Sequence, residues 1–92
     1  PIYSVEITKF PDANGVYEAM VEIGGKVKKT PSTFFPKDWS PEQVLDAIEQ
    51  VYINPSEVNE ISNAYRGTVN GVVINLYLNS DKRIISAFPY LE

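Results

Sequence analysis

The 92-residue chain contains no histidine and no cysteine. Its own residues therefore cannot assemble a Ser-His-Asp or Cys-His arrangement, and metal sites built on imidazole or thiolate are excluded with it. Catalysis by this chain alone must use lysine, hydroxyl or carboxylate groups, or groups borrowed from elsewhere. The lack of cysteine also removes any disulfide framework and leaves the redox compartment unread. No run approaches the roughly 18 apolar residues of a membrane-spanning helix, and the N-terminus lacks the basic and apolar regions of a signal peptide. There is no glycine-rich phosphate loop, internal repeat, low-complexity tract or linker. Positive charge is scarce as well. With 8 basic and 12 acidic residues the net charge is −4, which argues against non-specific binding to a long polyanion.

What is present fits one ordinary small domain spanning residues 1–92, with 43% hydrophobic and 22% charged residues. At this length roughly 60–65% of the unfolded chain's surface can be buried, so each large apolar side chain matters. A start at Pro1 rather than methionine reads as a processed product or a piece of a longer protein. The basic residues are unevenly spread: Lys26, Lys28, Lys29 and Lys37 crowd one short segment, whereas Asp38 to Glu60 holds six acidic residues and no basic ones. Two readings of the lysines stay open: a local phosphate-facing patch, or an edge strand with gatekeeping charges.

The pattern along the chain predicts an α+β fold: an antiparallel sheet with an N-terminal hairpin, one packed helix over about 40–53, and a C-terminal three-stranded meander. Residues 3–8 alternate, Tyr3, Val5 and Ile7 against Ser4, Glu6 and Thr8, as in a half-buried strand. Turn residues at 11–15 lead to a second strand with Tyr17, Ala19, Val21 and Ile23 on one face and Val16, Glu18, Met20 and Glu22 on the other. Gly24-Gly25 then turns the chain into the lysine-rich edge. Ser40-Pro41-Glu42-Gln43 combines a serine N-cap, proline at the first helical position and a capping box. The expected apolar stripe is Val44, Leu45, Ile48, Val51 and Tyr52, and Asn54-Pro55 ends the helix. Residues 56–62 show no useful periodicity and read as a loop or short irregular helix. Asn70-Gly71 joins two further strands, and a third runs from Arg83 to Phe88, where Pro89 is expected to stop ladder pairing.

Asp38, Glu42, Asp46 and Glu49 read as a solvated helix face rather than a carboxylate site. The link from Lys28 to Ser40 is less ordinary, because it packs cations, hydroxyls and three aromatics between an edge strand and a helix. The strings "STFFPKDWSPEQV" and "YRGTVNGVVINLYLNSDKRIISAFP", with "NGVYEAMVEIGGK" before them, resemble the C-terminal part of bacterial EndoU-type RNA endonuclease domains found at the tips of polymorphic toxins. The likeness covers most of residues 14–90.

The resemblance implies uridine-directed cleavage in which a ribose 2′-hydroxyl attacks the adjacent phosphodiester and leaves a 2′,3′-cyclic phosphate. In that family two histidines, N-terminal to the part resembled here, act as acid and base. This chain has neither. It implies Lys29 and Thr33 as catalytic residues, with Lys28, Ser32, Ser86 and Phe88 holding substrate, and no metal or other cofactor. Phe88 stands where family members commonly carry tyrosine. The partners implied are single-stranded RNA, a cognate immunity protein and a missing upstream segment, in a delivered toxin tip or the cytoplasm. Each residue also has a plain structural reading: Ser32 and Thr33 as partners of backbone groups, Phe34, Phe35 and Trp39 as core, Thr68 and Ser86 as strand residues.

Three functions stay open at this point. The chain is an EndoU-like portion or remnant, inactive alone because it lacks histidine; or a complete histidine-free ribonuclease of barnase-like type using Lys29, Thr33, Tyr65, Arg66 or Arg83; or a non-catalytic immunity-type or protein-binding module whose acidic helix meets a basic partner.

Overall fold

A computed structural model describes residues 2–91, and side chains from Glu6 onward. The expected facing of Tyr3, Ser4 and Val5 and the reading of Pro1 lie outside the described residues. The elements form two four-stranded antiparallel sheets and one helix, the α+β class expected.

In the first sheet β1 (Ile2–Lys9) and β2 (Tyr17–Ile23) form the expected hairpin, running from Ile2 opposite Ile23 to Lys9 opposite Glu18. Register shifts between Ser4 and Glu6 and between Ile7 and Lys9 each leave an extra residue on β1. Such bulges break the strict alternation assumed from the sequence, and Ile7 is an exposed residue. The connecting turn is built by Asp12, whose carboxylate accepts from the backbone N–H groups of Asn14 (2.8 Å) and Val16 (3.1 Å). On β2, Ala19 and Val21 are buried as expected, but Ile23 is exposed and Val16 is buried in the core rather than turned away from it.

The other edge of β2 is shared by two short strands. β3 (Lys26–Val27) pairs with Glu22 and Ile23, and β4 (Ser32–Phe34) pairs with Tyr17, Glu18 and Ala19. The lysine-bearing segment is thus an edge strand at its start. β4 itself carries no periodic signal that the sequence could reveal.

The helix α1 (Pro41–Ile53) begins at Ser40, whose Oγ accepts from Gln43 N–H (3.1 Å) while Gln43 Oε1 accepts from Ser40 N–H (2.7 Å). Its packed face differs from the expected stripe. Ala47 and Val51 are buried, Val44 and Ile48 half-buried, and Leu45 is 65% exposed with Tyr52 near the surface. Positions 44, 47, 48 and 51 form one helical face, and Leu45 lies outside it because successive residues turn by about 100°. The Tyr52 hydroxyl instead donates to the Lys82 carbonyl, and its ring lies 6.2 Å from that of Tyr65.

The second sheet has strand order β5-β6-β7-β8, with β5 (Glu57–Asn59), β6 (Ala64–Val69), β7 (Val72–Leu78) and β8 (Ile84–Pro89). The meander therefore gains a fourth strand, β5, inside the segment read as a loop or irregular helix. All three β5 side chains are exposed, so backbone pairing with β6 holds it and no hydrophobic alternation marks it. At the β6–β7 hairpin Asn70 and Gly71 both take positive φ, 50° and 82°, matching the twist that a two-residue turn requires. Pro89 does not end the ladder: it is buried, opposes Ile74, and is followed by Tyr90 N–H donating to the Val73 carbonyl (2.7 Å). β8 is an edge strand, where a proline is tolerated.

α1 packs on β6 and β7. The core comprises Val16, Ala47, Val51, Val72, Ile74, Leu76 and Leu78, with Phe35, Trp39, Tyr65 and Ala87 packed against it. Gly67 admits the helix closely, since a Cβ there would lie 3.0 Å from Val51 Cγ2.

Candidate functional site

Period-two alternation divides the second sheet into two faces. Tyr65, Gly67, Ile74 and Leu76 face the helix. On the outer face, direct cross-strand partners make one row of Glu57, Arg66, Asn75 and Phe88, and a second of Asn59, Ala64, Tyr77 and Ser86. Ser86 and Phe88, two residues apart, therefore share this face.

Asn75 is the buried polar side chain of the outer face. Its Oδ1 accepts from Arg66 Nε at 2.8 Å, which satisfies the amide oxygen and fixes the arginine. The guanidinium also lies over the Tyr90 ring, 5.3 Å from its centroid, in a cation–π arrangement. Tyr77 and Phe88 stack with centroids 5.8 Å apart. Beside these residues runs a groove of about 500 Å³, lined by Glu57 to Ser62 and by Ala64, Tyr65, Arg66, Asn75 and Tyr77.

The remaining sequence-derived candidates lie on the first sheet. Lys28 Nζ donates to Ser32 Oγ at 2.9 Å, so these two are brought together by the bend that separates β3 from β4. Thr33 is half-buried opposite Glu18. Lys29 is exposed in the same bend and makes no hydrogen bond or ion pair among the described residues. β4 lies beside β8, with Cα atoms within 8 Å. That places the strand of Ser32 and Thr33 next to the strand of Ser86 and Phe88, although no side-chain hydrogen bond joins the two groups.

The aromatics of this segment divide. Phe35 and Trp39 stack at 5.8 Å and pack against the core, as the structural reading anticipates. Phe34 stacks on Tyr17 at 5.2 Å, and Lys37 Nζ sits 5.1 Å from the centre of the Tyr17 ring. Sequence reasoning missed the Arg66–Asn75–Tyr90 assembly and the part played by Tyr77. The available signal was an asparagine on the outer face of β7, two residues from Tyr77 and between apolar neighbours.

Among the described residues no three carboxylates cluster as a metal site, and no helix is long and apolar enough to cross a membrane. Comparison with known proteins adds the relationship. The family model "Bacterial EndoU nuclease" matches residues 4–91. A Bacillus cereus protein named "Toxin" is 43% identical over 79 residues, which cover 82% of this chain and 14% of that protein. No solved structure matches. On the extent of the family match and this level of identity, the chain belongs to the bacterial EndoU nuclease family.

Proposed function

We propose that this chain supplies the phosphate- and base-holding part of a toxin-type EndoU RNA endonuclease, and that the acid and base histidines come from outside these 92 residues. In the reaction the ribose 2′-oxygen bonds to phosphorus and the P–O5′ bond breaks. The 2′-hydroxyl proton passes to the base, the leaving 5′-oxygen takes a proton from the acid, and the product end is a 2′,3′-cyclic phosphate. Negative charge builds on the phosphorane oxygens. Lys29, exposed and without a partner among the described residues, would neutralise it with the Thr33 hydroxyl, while Lys28 orients Ser32 by the 2.9 Å hydrogen bond. Ser86 and Phe88 would hold the uridine. With phenylalanine at 88 the ring can only stack, and Tyr77, stacked on it at 5.8 Å, carries a phenol.

The observation that carries this reading is the placement of the Lys28–Ser32 pair and Thr33 at a strand that borders β8, whose Ser86 and Phe88 share one face. By itself the chain binds but does not cut, because it contains no histidine. A cognate immunity protein would act by covering this face.

The test is incubation with uridine-containing single-stranded RNA, with products resolved by length and end chemistry. The chain alone should leave the RNA intact. Fusing a histidine-bearing EndoU N-terminal segment should produce cyclic-phosphate ends, and Lys29→Ala or Thr33→Ala should lower that activity by about 10²-fold or more. Cleavage by the unfused chain would establish a histidine-free nuclease instead. Absence of both cleavage and RNA binding in every form would leave a protein-binding module.

A further inference from the structure

We infer that the groove beside Arg66 is a specificity subsite for a guanine base flanking the uridine, read by the Arg66 guanidinium and the Glu57 carboxylate together. This rests on the uridine-directed RNA reading above.

The argument starts from the two charged groups. Glu57 and Arg66 are direct cross-strand partners on the outer face, the geometry in which opposite charges usually meet. Among the described residues they make no ion pair. Arg66 is held elsewhere: Nε is occupied by Asn75 Oδ1, and Cζ lies over the Tyr90 ring. The anchoring partner Asn75 is itself buried, so the arginine is set on a rigid part of the sheet. Among the described residues its two terminal nitrogens and the Glu57 carboxylate have no partner, and both residues line the groove. One fork of donors and one fork of acceptors therefore stand apart on the same surface.

The lining chemistry chooses among ligands. Glu57 and Glu60 outnumber the single guanidinium, so a phosphate in the groove would meet net repulsion. A neutral base that carries both donors and acceptors avoids that cost. Guanine presents adjacent acceptors, O6 and N7, which match an arginine fork, and adjacent donors, N1–H and the N2 amino group, which match a carboxylate. No other RNA base offers two of each in this arrangement. Tyr77 extends an aromatic surface from the Phe88 stack into the groove lining, continuous with the uridine position. Arg66 lies two strands from Phe88 along one row, roughly 10 Å at ordinary strand spacing, so a neighbouring base falls there and the uridine does not reach it.

The experiment uses dinucleotides that bind but cannot be cut, with 2′-deoxyuridine at the scissile position and each of the four bases beside it, in both orders. Affinities for the 92-residue chain are read by titration calorimetry or by amide chemical shifts. The guanine dinucleotide in one of the two orders should bind about 10- to 100-fold more tightly than its adenine, cytosine and uracil counterparts. Arg66→Gln and Glu57→Gln should each abolish that preference and leave the other three affinities unchanged. Arg66→Lys should fail to restore it, because it keeps the charge but loses the fork. Glu57 is exposed on an edge strand, so its variant tests the idea even if the Arg66 variants disturb folding. Equal affinity for all four bases, with dependence on deoxyuridine retained, would overturn the subsite and leave the uridine reading intact. So would an Arg66→Gln variant that weakens all four equally, since the arginine would then hold phosphate. No binding by any dinucleotide at millimolar concentration overturns both readings.

Discussion

The two sheets start from similar sequence patterns, apolar alternation broken by glycine turns, yet they come to rest differently. In the second sheet the alternating residues of β7, from Val72 to Leu78, are all buried because α1 covers them, and Gly67 lets Val51 approach the backbone. In the first sheet β1 is bulged twice, β3 and β4 are fragments on one edge, and among the described residues Ala19 and Val21 of β2 are buried outside the core cluster that Val16 joins. Alternation states that one face can be buried; a covering element decides whether it is. The covered sheet holds Arg66, Asn75 and Phe88 in register, and the less covered sheet carries the lysines.

This contrast is open to attack by measurement. Leu76→Ala, at the centre of the covered face, should cost about 2–5 kcal/mol in urea unfolding. Val21→Ala in the first sheet should cost less, about 1.5 kcal/mol from the methyl groups removed; an equal loss at both positions would mean that the two sheets share their support. Gly67→Ala should cost about 1–3 kcal/mol by pressing on Val51, and a neutral result would show that the helix can lift off the sheet without penalty. Ser40→Ala should cost about 1 kcal/mol through the lost cap, seen as a lower melting temperature with fraying at the helix start. Smallest in stability, Lys28→Ala and Ser32→Ala should leave the urea midpoint unchanged while weakening uridine oligonucleotide binding several-fold. A shifted midpoint there would assign the pair to structure instead.

The parts of the fold legible in the sequence were those coded by local chemistry. The Ser40 capping box and Asn54-Pro55 bound α1 to within a residue, and Asn70-Gly71 marked its hairpin. β4 and β5 were not legible, because strands of three residues held by backbone pairing leave no periodic trace. Leu45 was placed on the packed face and Ala47 overlooked because hydrophobicity favours the larger side chain, whereas the close fit against β6 and β7 favours the smaller. Pro89 reads as a stop because it lacks an N–H, yet on the edge strand β8 the ladder does not need that donor. For the site, the shared face of Ser86 and Phe88 follows from their spacing and needs no more than a strand. Arg66 and Asn75 are nine residues apart across the Asn70-Gly71 hairpin, whose two-residue turn sets them opposite each other, but residue order does not state that their side chains bond to each other. The family likeness was legible over most of the chain because its strings are long and aromatic-rich.

The chain leaves β2 where Lys28 N–H donates to the Val21 carbonyl (2.8 Å) and rejoins it where Ser32 opposes Ala19. Lys29, Thr30 and Pro31 are thus a staple loop with both feet on one strand. The ordering entropy of that loop is spent during folding, so binding of an anion by its lysine, as proposed, would leave only side-chain rotamers to restrict. Inserting one residue between the feet would test positioning apart from charge: every side chain is retained, β4 can keep its pairing, and the lysine is displaced by about one backbone step.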